Sequence, residues 1–281
     1  MKNEDIATAQ AFANSWNNLP SGSVYTRAQF EDWMAPLTTK DFAQARVLEL
    51  GCGNGSLLVH ACEWRPASIV GVDLGASVQT ARHNVAVYPY AKIEQDDLVS
   101  YRSIGFEIVY CIGVLHHLKA PQAGFVSVVE NTQPGGKFHC WVYAREGNAI
   151  VIYLVDPIRK IASRLPWWVT KYLIATPLVV PYFVYAKTLS WLAKVFPSTR
   201  EILAKLPLFD YSLWIAQRGF LFFRHVAFDQ LVTPQTVYLS RLEVQKWLSE
   251  TAGIDQSSTY IIARNGNSWK CGGHRVTAVR R

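Results

Sequence analysis

Val47-Leu48-Glu49-Leu50-Gly51-Cys52-Gly53-Asn54-Gly55 is the stretch that decides the fold. An apolar run with strand character passes straight into a turn with three alternating glycines. Backbone of that kind comes close to a ligand, because a side chain would obstruct the approach. Asp73 stands 22 residues beyond Gly51, at the end of the next apolar run, Ser68-Ile69-Val70-Gly71-Val72. A carboxylate there accepts hydrogen bonds from both hydroxyls of a ribose. A dinucleotide fold offers the same geometry, but two features argue against it. Ser56 occupies the place of the third glycine of G-x-G-x-x-G, and Glu49 beside the turn would repel a pyrophosphate. The turn suits a ligand that carries an ammonium and a sulfonium.

Outward from this stretch, short apolar runs alternate with helical patterns from Arg46 to Tyr143. The runs after the first two are Ala91-Lys92-Ile93-Glu94, Glu107-Ile108-Val109-Tyr110 and Lys137-Phe138-His139-Cys140-Trp141-Val142. Such alternation predicts parallel strands joined by crossover helices. Pro134-Gly135-Gly136 reads as a tight turn into the fifth strand. Ser240-Arg241-Leu242-Glu243 has capping-box spacing and opens a last helix. Two further runs, from Ser258 to Arg264 and from His274 to Val279, read as a hairpin. Its long turn would take in Asn265 to Ser268 and Cys271-Gly272-Gly273. The expected fold is α/β: a doubly wound, seven-stranded, mostly parallel sheet with a C-terminal antiparallel hairpin and a helical insertion. The expected domains are an N-terminal helical lid (1–40), the core (41–146), the insertion (147–239), and the last helix with the hairpin (240–281).

These motifs resemble those of the Rossmann-fold, class I S-adenosylmethionine-dependent methyltransferases. VLELGCGNG resembles the family's first motif and IVGVDLGASVQTAR its second. KIEQDDLVSY, FEIVYCIGVLHHL and QPGGKFHCWVYA resemble the remaining core motifs in order. The resemblance implies S-adenosylmethionine as cofactor. It places Gly51, Gly53 and Gly55 on the methionine part, Glu49 near its amino group, Asp73 on the ribose and Leu74 on the adenine. Asp96 or Asp97 falls beside the adenine amino group, and Ile112 and Gly113 line the site after the fourth strand. Phe12 with Trp16, and the segment from His225 to Trp247, resemble one branch of the family that acts on varied small molecules and glycans.

Composition bounds the rest. Half of the 281 residues are hydrophobic and 17% are charged, which describes an ordered globular chain. Ten Trp with thirteen each of Tyr and Phe suggest an aromatic wall, packed internally or facing an apolar ligand. Five scattered cysteines read as reduced thiols, and no spacing suggests a metal site. The N-terminus lacks the apolar core of a secretory signal, so a cytoplasmic location is expected. The apolar stretch from Tyr172 to Ala186, 15 residues with Pro177 and Pro181 inside, is short for a membrane span. The net charge of +7 is concentrated: residues 147–239 hold ten Lys/Arg and four Asp/Glu, or +6. With Trp167, Trp168, Trp191 and Trp214, that segment reads as a basic, aromatic cap over the substrate, for which contact with a membrane surface is one option and its own core the other.

Methyl transfer from a sulfonium is an in-line displacement. The protein aligns the nucleophile and, where needed, removes its proton, work suited to a histidine. His116 and His117 follow the fourth strand, and the family's recurrent histidine matches His117. His225 stands four residues before Asp229, so on a helix the carboxylate would orient the imidazole. His117, His225 and Asp229 are therefore the catalytic candidates. His116, Tyr143 and Arg145, on the rim after the fourth and fifth strands, are candidates for holding an acceptor. The expected activity is methylation at oxygen or nitrogen of a small, apolar or amphipathic molecule. Cys111-Ile112-Gly113-Val114 replaces the Asn/Asp-Pro-Pro-aromatic tetrad of base amino-methylases, which disfavours nucleic acid. RNA methylation through the basic insert, and cofactor binding without transfer, are the rivals.

Overall fold

The computed structural model describes residues 25–276. Phe12, Trp16, most of the expected lid and the end of the last apolar run lie outside them. The chain divides into two compact units: one holds the residues through Tyr143, Gln235–Ile262 and those from Trp269, the other Ala144–Pro234 and Ala263–Ser268.

The first unit is a seven-stranded sheet in the order β3-β2-β1-β4-β5-β7-β6. The strands are β1 (Arg46–Leu50), β2 (Ser68–Asp73), β3 (Ala91–Gln95), β4 (Phe106–Ile112), β5 (Thr132–Tyr143), β6 (Ile254–Arg264) and β7 (Ser268–Arg275). β1 through β5 pair in parallel, and β6 and β7 form the antiparallel edge. β1 is central, and Val47, Leu48, Glu49 and Leu50 are all buried. A strand covered on both faces calls for apolar residues throughout, and Glu49 is the one departure from that rule in this run. The order reverses at β1, between β2 and β4. Ligands in open α/β sheets sit at the carboxyl ends of the strands at such a switch point.

Helices α1 (Arg27–Met34) and α2 (Thr39–Phe42) precede β1. They are built into the core: Phe30, Met34 and Phe42 are fully buried, with Phe30 and Phe42 edge-on to Trp64. α3 (Leu58–Glu63), α4 (Val78–Asn84) and α5 (Pro121–Asn131) are the crossovers.

Two turn expectations are corrected. Pro134-Gly135-Gly136 lies within β5, where the register jumps from Phe106↔Thr132 to Ile108↔Lys137. The extra residues form an irregularity in the strand, the usual place for Pro and Gly inside a sheet. Cys271-Gly272-Gly273 lies in β7, and the hairpin turn is short, with Asn265 and Gly266 both at positive φ. The glycines belong to β7 because it is an inner strand. A Cβ on Gly272 would lie 2.3 Å from the Phe138 carbonyl oxygen and 2.4 Å from the Tyr260 hydroxyl.

The second unit is helical: α6 (151–162), α7 (Val169–Val195), α8 (Arg200–Leu203), α9 (Phe209–Arg218) and α10 (Phe220–Val232). α7 runs through Pro177 and Pro181, the two residues read as interruptions of a short apolar stretch. It opens with wide π-type turns over Val169–Ala175, and the Thr176 hydroxyl donates to the Lys171 carbonyl at 2.9 Å. Local widening and side-chain bonds of this kind let a helix carry proline. By length and composition α7 is one helix capable of crossing a membrane, with a mean hydropathy of 1.3. Its inner side is nevertheless committed to the unit's own core, where Val179 and Ala186 pack with Ile215, Ala216 and Phe223.

Residues 235–239, grouped with the insertion on composition, bond to the sheet unit: Val237 N–H donates to the His116 carbonyl at 2.8 Å and Leu239 N–H to that of Tyr143 at 3.0 Å. The last helix, α11 (Arg241–Glu250), carries the expected capping box. Ser240 N–H donates to Glu243 Oε2 at 2.7 Å, and Glu243 N–H donates to Ser240 Oγ at 3.3 Å.

Candidate functional site

The switch point gathers the residues of the glycine turn. Gly51, Gly53 and Gly55 have φ of +83°, +54° and +77°. A Cβ on Gly51 would run into Val114, whereas one on Gly53 would meet no protein atom within 4 Å. Gly53 thus opens onto space that the protein does not fill. Asp73, at the end of β2, ties the turn to its strand: Gly53 N–H donates to Oδ2 and Gly75 N–H to Oδ1, both at 2.8 Å. The Ser77 side chain adds a third hydrogen bond, and a carboxylate accepts about four, which leaves room for a ribose hydroxyl. Burial raises the Asp73 pKa, and the bonds from Gly75, Gly53 and Ser77 oppose that rise.

Glu49 is almost wholly buried on β1 and accepts a hydrogen bond from the Tyr110 hydroxyl at 3.0 Å. Burial, with the Asp73 charge adding to it, pushes its pKa up to about 8. Two buried carboxyl groups held against desolvation favour a cationic ligand beside them. An ammonium with a sulfonium fits this donor set, and a pyrophosphate does not.

The adenine side is less closely drawn. Leu74 is half-buried just after β2. Asp96 Oδ1 accepts from Asp97 N–H at 2.7 Å, and Asp97 Oδ1 accepts from Val99 N–H at 2.9 Å. Both carboxylates thus shape the turn after β3, each through one oxygen. On the other side of the switch point, Ile112 is buried and Gly113, at φ +79°, donates to the Trp141 carbonyl at 3.1 Å.

Next to Gly113 lies an aromatic cluster that the sequence reading named only in part. Trp141 stacks on Trp33 of α1 at 4.9 Å, and Tyr143 lies 5.3 Å from Trp141. The His116 ring lies 3.9 Å from that of Tyr143, and Tyr238 stacks on Tyr143 at 6.1 Å. Trp33, Trp141 and Tyr238 were missed as site residues. The richness in aromatic residues announces a wall, but its members are scattered from Trp33 to Tyr238 along the sequence, and only the folded unit brings them together.

The candidate histidines are held differently. His116 is fully buried, and its Nδ1 accepts from Tyr143 N–H at 3.4 Å. His117 is buried in the short turn Leu115–His117, with Nδ1 at 3.1 Å from both the Gln235 carbonyl and the Thr236 hydroxyl. A carbonyl only accepts, so this bond favours the proton on Nδ1 and puts the ring's basic lone pair on Nε2. His225 and Asp229 belong to the helical unit and sit on α10, with Nε2 and Oδ2 3.2 Å apart. The helix anticipated for that spacing is present. Arg145 is exposed and belongs to the helical unit, and Tyr143 to the sheet unit.

The fold and this site define a cofactor-binding α/β domain whose ligand bears positive charge. Residues 48–138 match the family model described as a methyltransferase domain, and this part of the chain is similar to the class I S-adenosylmethionine-dependent methyltransferase family. The cofactor of that family is S-adenosylmethionine, and the residues at the switch point fit it. The chain is 29% identical to a ubiquinone biosynthesis O-methyltransferase of Pseudomonas syringae pv. tomato, over 41% of this chain and 51% of that one. It is 30% identical to a tRNA U34 carboxymethyltransferase of Helicobacter pylori, over 27% of this chain and 31% of that one. The chain thus spans about a third to a half of the length of these curated relatives. The structure of an O-methyltransferase family protein from Burkholderia thailandensis superposes with a TM-score of 0.50 at 11% identity, over 90% of this chain and 60% of that one. That likeness concerns the fold.

Proposed function

We propose that the protein transfers a methyl group from S-adenosylmethionine to oxygen or nitrogen of a small apolar or amphipathic acceptor. The observation that carries this reading is the aromatic cluster of Trp141, Tyr143, His116 and Tyr238 beside Gly113. Its rings offer apolar contact and exclude water, which suits an acceptor with an apolar body.

The cofactor, when bound, supplies an electrophilic methyl on sulfur. The chain's own work is to bind, orient and deprotonate. Glu49 and Asp73 hold the cofactor's charged and ribose ends. His117, oriented by the Gln235 carbonyl, takes the acceptor's proton at Nε2. His225 with Asp229 is the second candidate for that step, and Arg145 is a candidate to hold a polar group of the acceptor. In this reading the protein acts in the cytoplasm. The relative named for tRNA matches only 27% of this chain, and the cluster's buried apolar rings do not suit a nucleic-acid groove.

The test is incubation with methyl-labelled S-adenosylmethionine and a cell extract, followed by solvent extraction and, in parallel, nuclease digestion. Label in a solvent-extractable small molecule is expected. Label released only by nuclease would overturn the acceptor class, and cofactor binding with no transfer would make the chain a binding protein.

A further inference from the structure

Eighteen of the twenty-three exposed large apolar side chains among the described residues lie between Ile150 and Leu221, in the helical unit. On α7 they form a stripe: Leu173, Val180, Val184, Trp191 and Val195 stand exposed at spacings of seven, four, seven and four, all on one face. Leu173 and Val184 are 63% and 61% exposed, which a core role does not explain. Trp167 and Trp168, helical residues that lead directly into α7, are each about half exposed. The apolar residues that do build the unit's core are different ones, among them Val179, Ala186 and Phe223.

Charge says what covers this face. Between Asp156 and Glu201 lie 44 residues with seven Lys/Arg and no carboxylate. Lys160, Arg164, Lys187, Lys194 and Arg200 are exposed among the apolar residues, and Lys171 lies over the ring of Trp167 at 5.8 Å. A second copy of this chain would bring the same positive charge to the same patch. A nucleic acid would leave Leu173, Val180 and Val184 in water. An anionic bilayer meets both features: its acyl boundary takes the apolar stripe, its headgroups take the lysines, and its interface favours tryptophan.

We infer that this face of the helical unit docks on an anionic membrane surface, with α7 lying in the interface plane. α7 spans about 40 Å at 1.5 Å per residue, enough to cross a bilayer. Its other side is already engaged, however, with the Tyr182 hydroxyl 2.9 Å from Ser212 Oγ and the Tyr185 hydroxyl donating to the Pro207 carbonyl at 3.1 Å. A spanning pose would strip those contacts, and an interfacial pose keeps them. The inference stands apart from the acceptor's identity.

The experiment is flotation of the full chain with phosphatidylcholine vesicles, with and without about a third phosphatidylglycerol, at low and high salt. Two variants accompany it, Lys160→Glu/Lys187→Glu/Lys194→Glu and Leu173→Ser/Val180→Ser/Val184→Ser, with circular dichroism and S-adenosylmethionine binding as controls on folding. Wild type is expected to float with the anionic vesicles at low salt, to be released at high salt, and to lose more than about tenfold in partitioning in either variant. No flotation on anionic vesicles at low salt overturns the inference. So does flotation that neither variant weakens, or retention after an alkaline carbonate wash, which would mark a spanning helix. A concentration-dependent dimer abolished by the serine variant, without flotation, would assign the face to a second copy.

Discussion

At the scale of single residues, the two carboxylates carry the account. Asp73 is bonded to the glycine turn through Gly53 N–H and to the turn after β2 through Gly75 N–H and the Ser77 side chain, with acceptor capacity left for a ribose hydroxyl. Asp73→Ala is expected to lose about 1.5–3 kcal/mol of S-adenosylmethionine affinity by calorimetry, the range for hydrogen bonds to a charged group. Unchanged affinity would remove Asp73 from the ribose. Glu49 makes a pH-dependent prediction. Its carboxyl in the folded protein ionises near pH 8, and a bound cation favours the ionised form. Cofactor affinity should therefore climb as pH rises toward about 8 and level off above it. The unfolded chain ionises this group near the ordinary glutamate value, so stability attributable to Glu49 falls as pH rises from there to about 8. Glu49→Gln should accordingly gain in Tm over wild type as pH is raised from 5 to 8, while losing cofactor affinity. A Tm difference that is flat across that range would contradict the shifted carboxyl. Both residues were legible in the sequence, because a strand–glycine-turn–carboxylate pattern is local. The raised pKa of Glu49 was not, since it depends on burial that only the assembled sheet creates.

Elements show where sequence reading ends. The capping box at Ser240 was legible from four residues, and Ser240→Ala should cost about 1 kcal/mol in denaturant unfolding. No change in the midpoint would mean that burial of Val244, Trp247 and Leu248 holds α11 regardless. The Pro134-Gly135-Gly136 and Cys271-Gly272-Gly273 stretches were misread as turns for one reason. Glycine marks close backbone approach as readily as reversal, and only the neighbouring strands tell the two apart. Pro177 and Pro181 lie inside α7, beside its π-type opening and the bond from the Thr176 hydroxyl. The histidines belong at this scale as well, since each acts through the element that holds it. His117→Ala is expected to lower turnover on the acceptor by about 10²–10⁴ while cofactor affinity survives, with His225→Ala as the parallel comparison. Two variants that turn over like wild type would leave alignment alone to do the catalysis.

For the whole molecule, composition anticipated a basic, aromatic segment between the fifth strand and the last helix, and Ala144–Pro234 groups with Ala263–Ser268 in the second compact unit. Composition could not say which of its aromatics pack inside. Trp214 lies beside Tyr211 and Phe222, while Trp167, Trp168 and Trp191 stand half exposed. The aromatic cluster of the sheet unit was hidden for the converse reason, since Trp33, Trp141 and Tyr238 come together only when α1, β5 and the 235–239 segment meet. The claim on which all of this rests is that the switch point with Glu49, Asp73 and the open Gly53 holds a cationic nucleoside and not a dinucleotide. Calorimetric titration of the full chain with S-adenosylmethionine and with NAD, under the same buffer, tests it most directly. Saturable one-to-one binding of S-adenosylmethionine with no heat from NAD is the predicted result. Binding of NAD, or no binding of S-adenosylmethionine by folded protein, would contradict it.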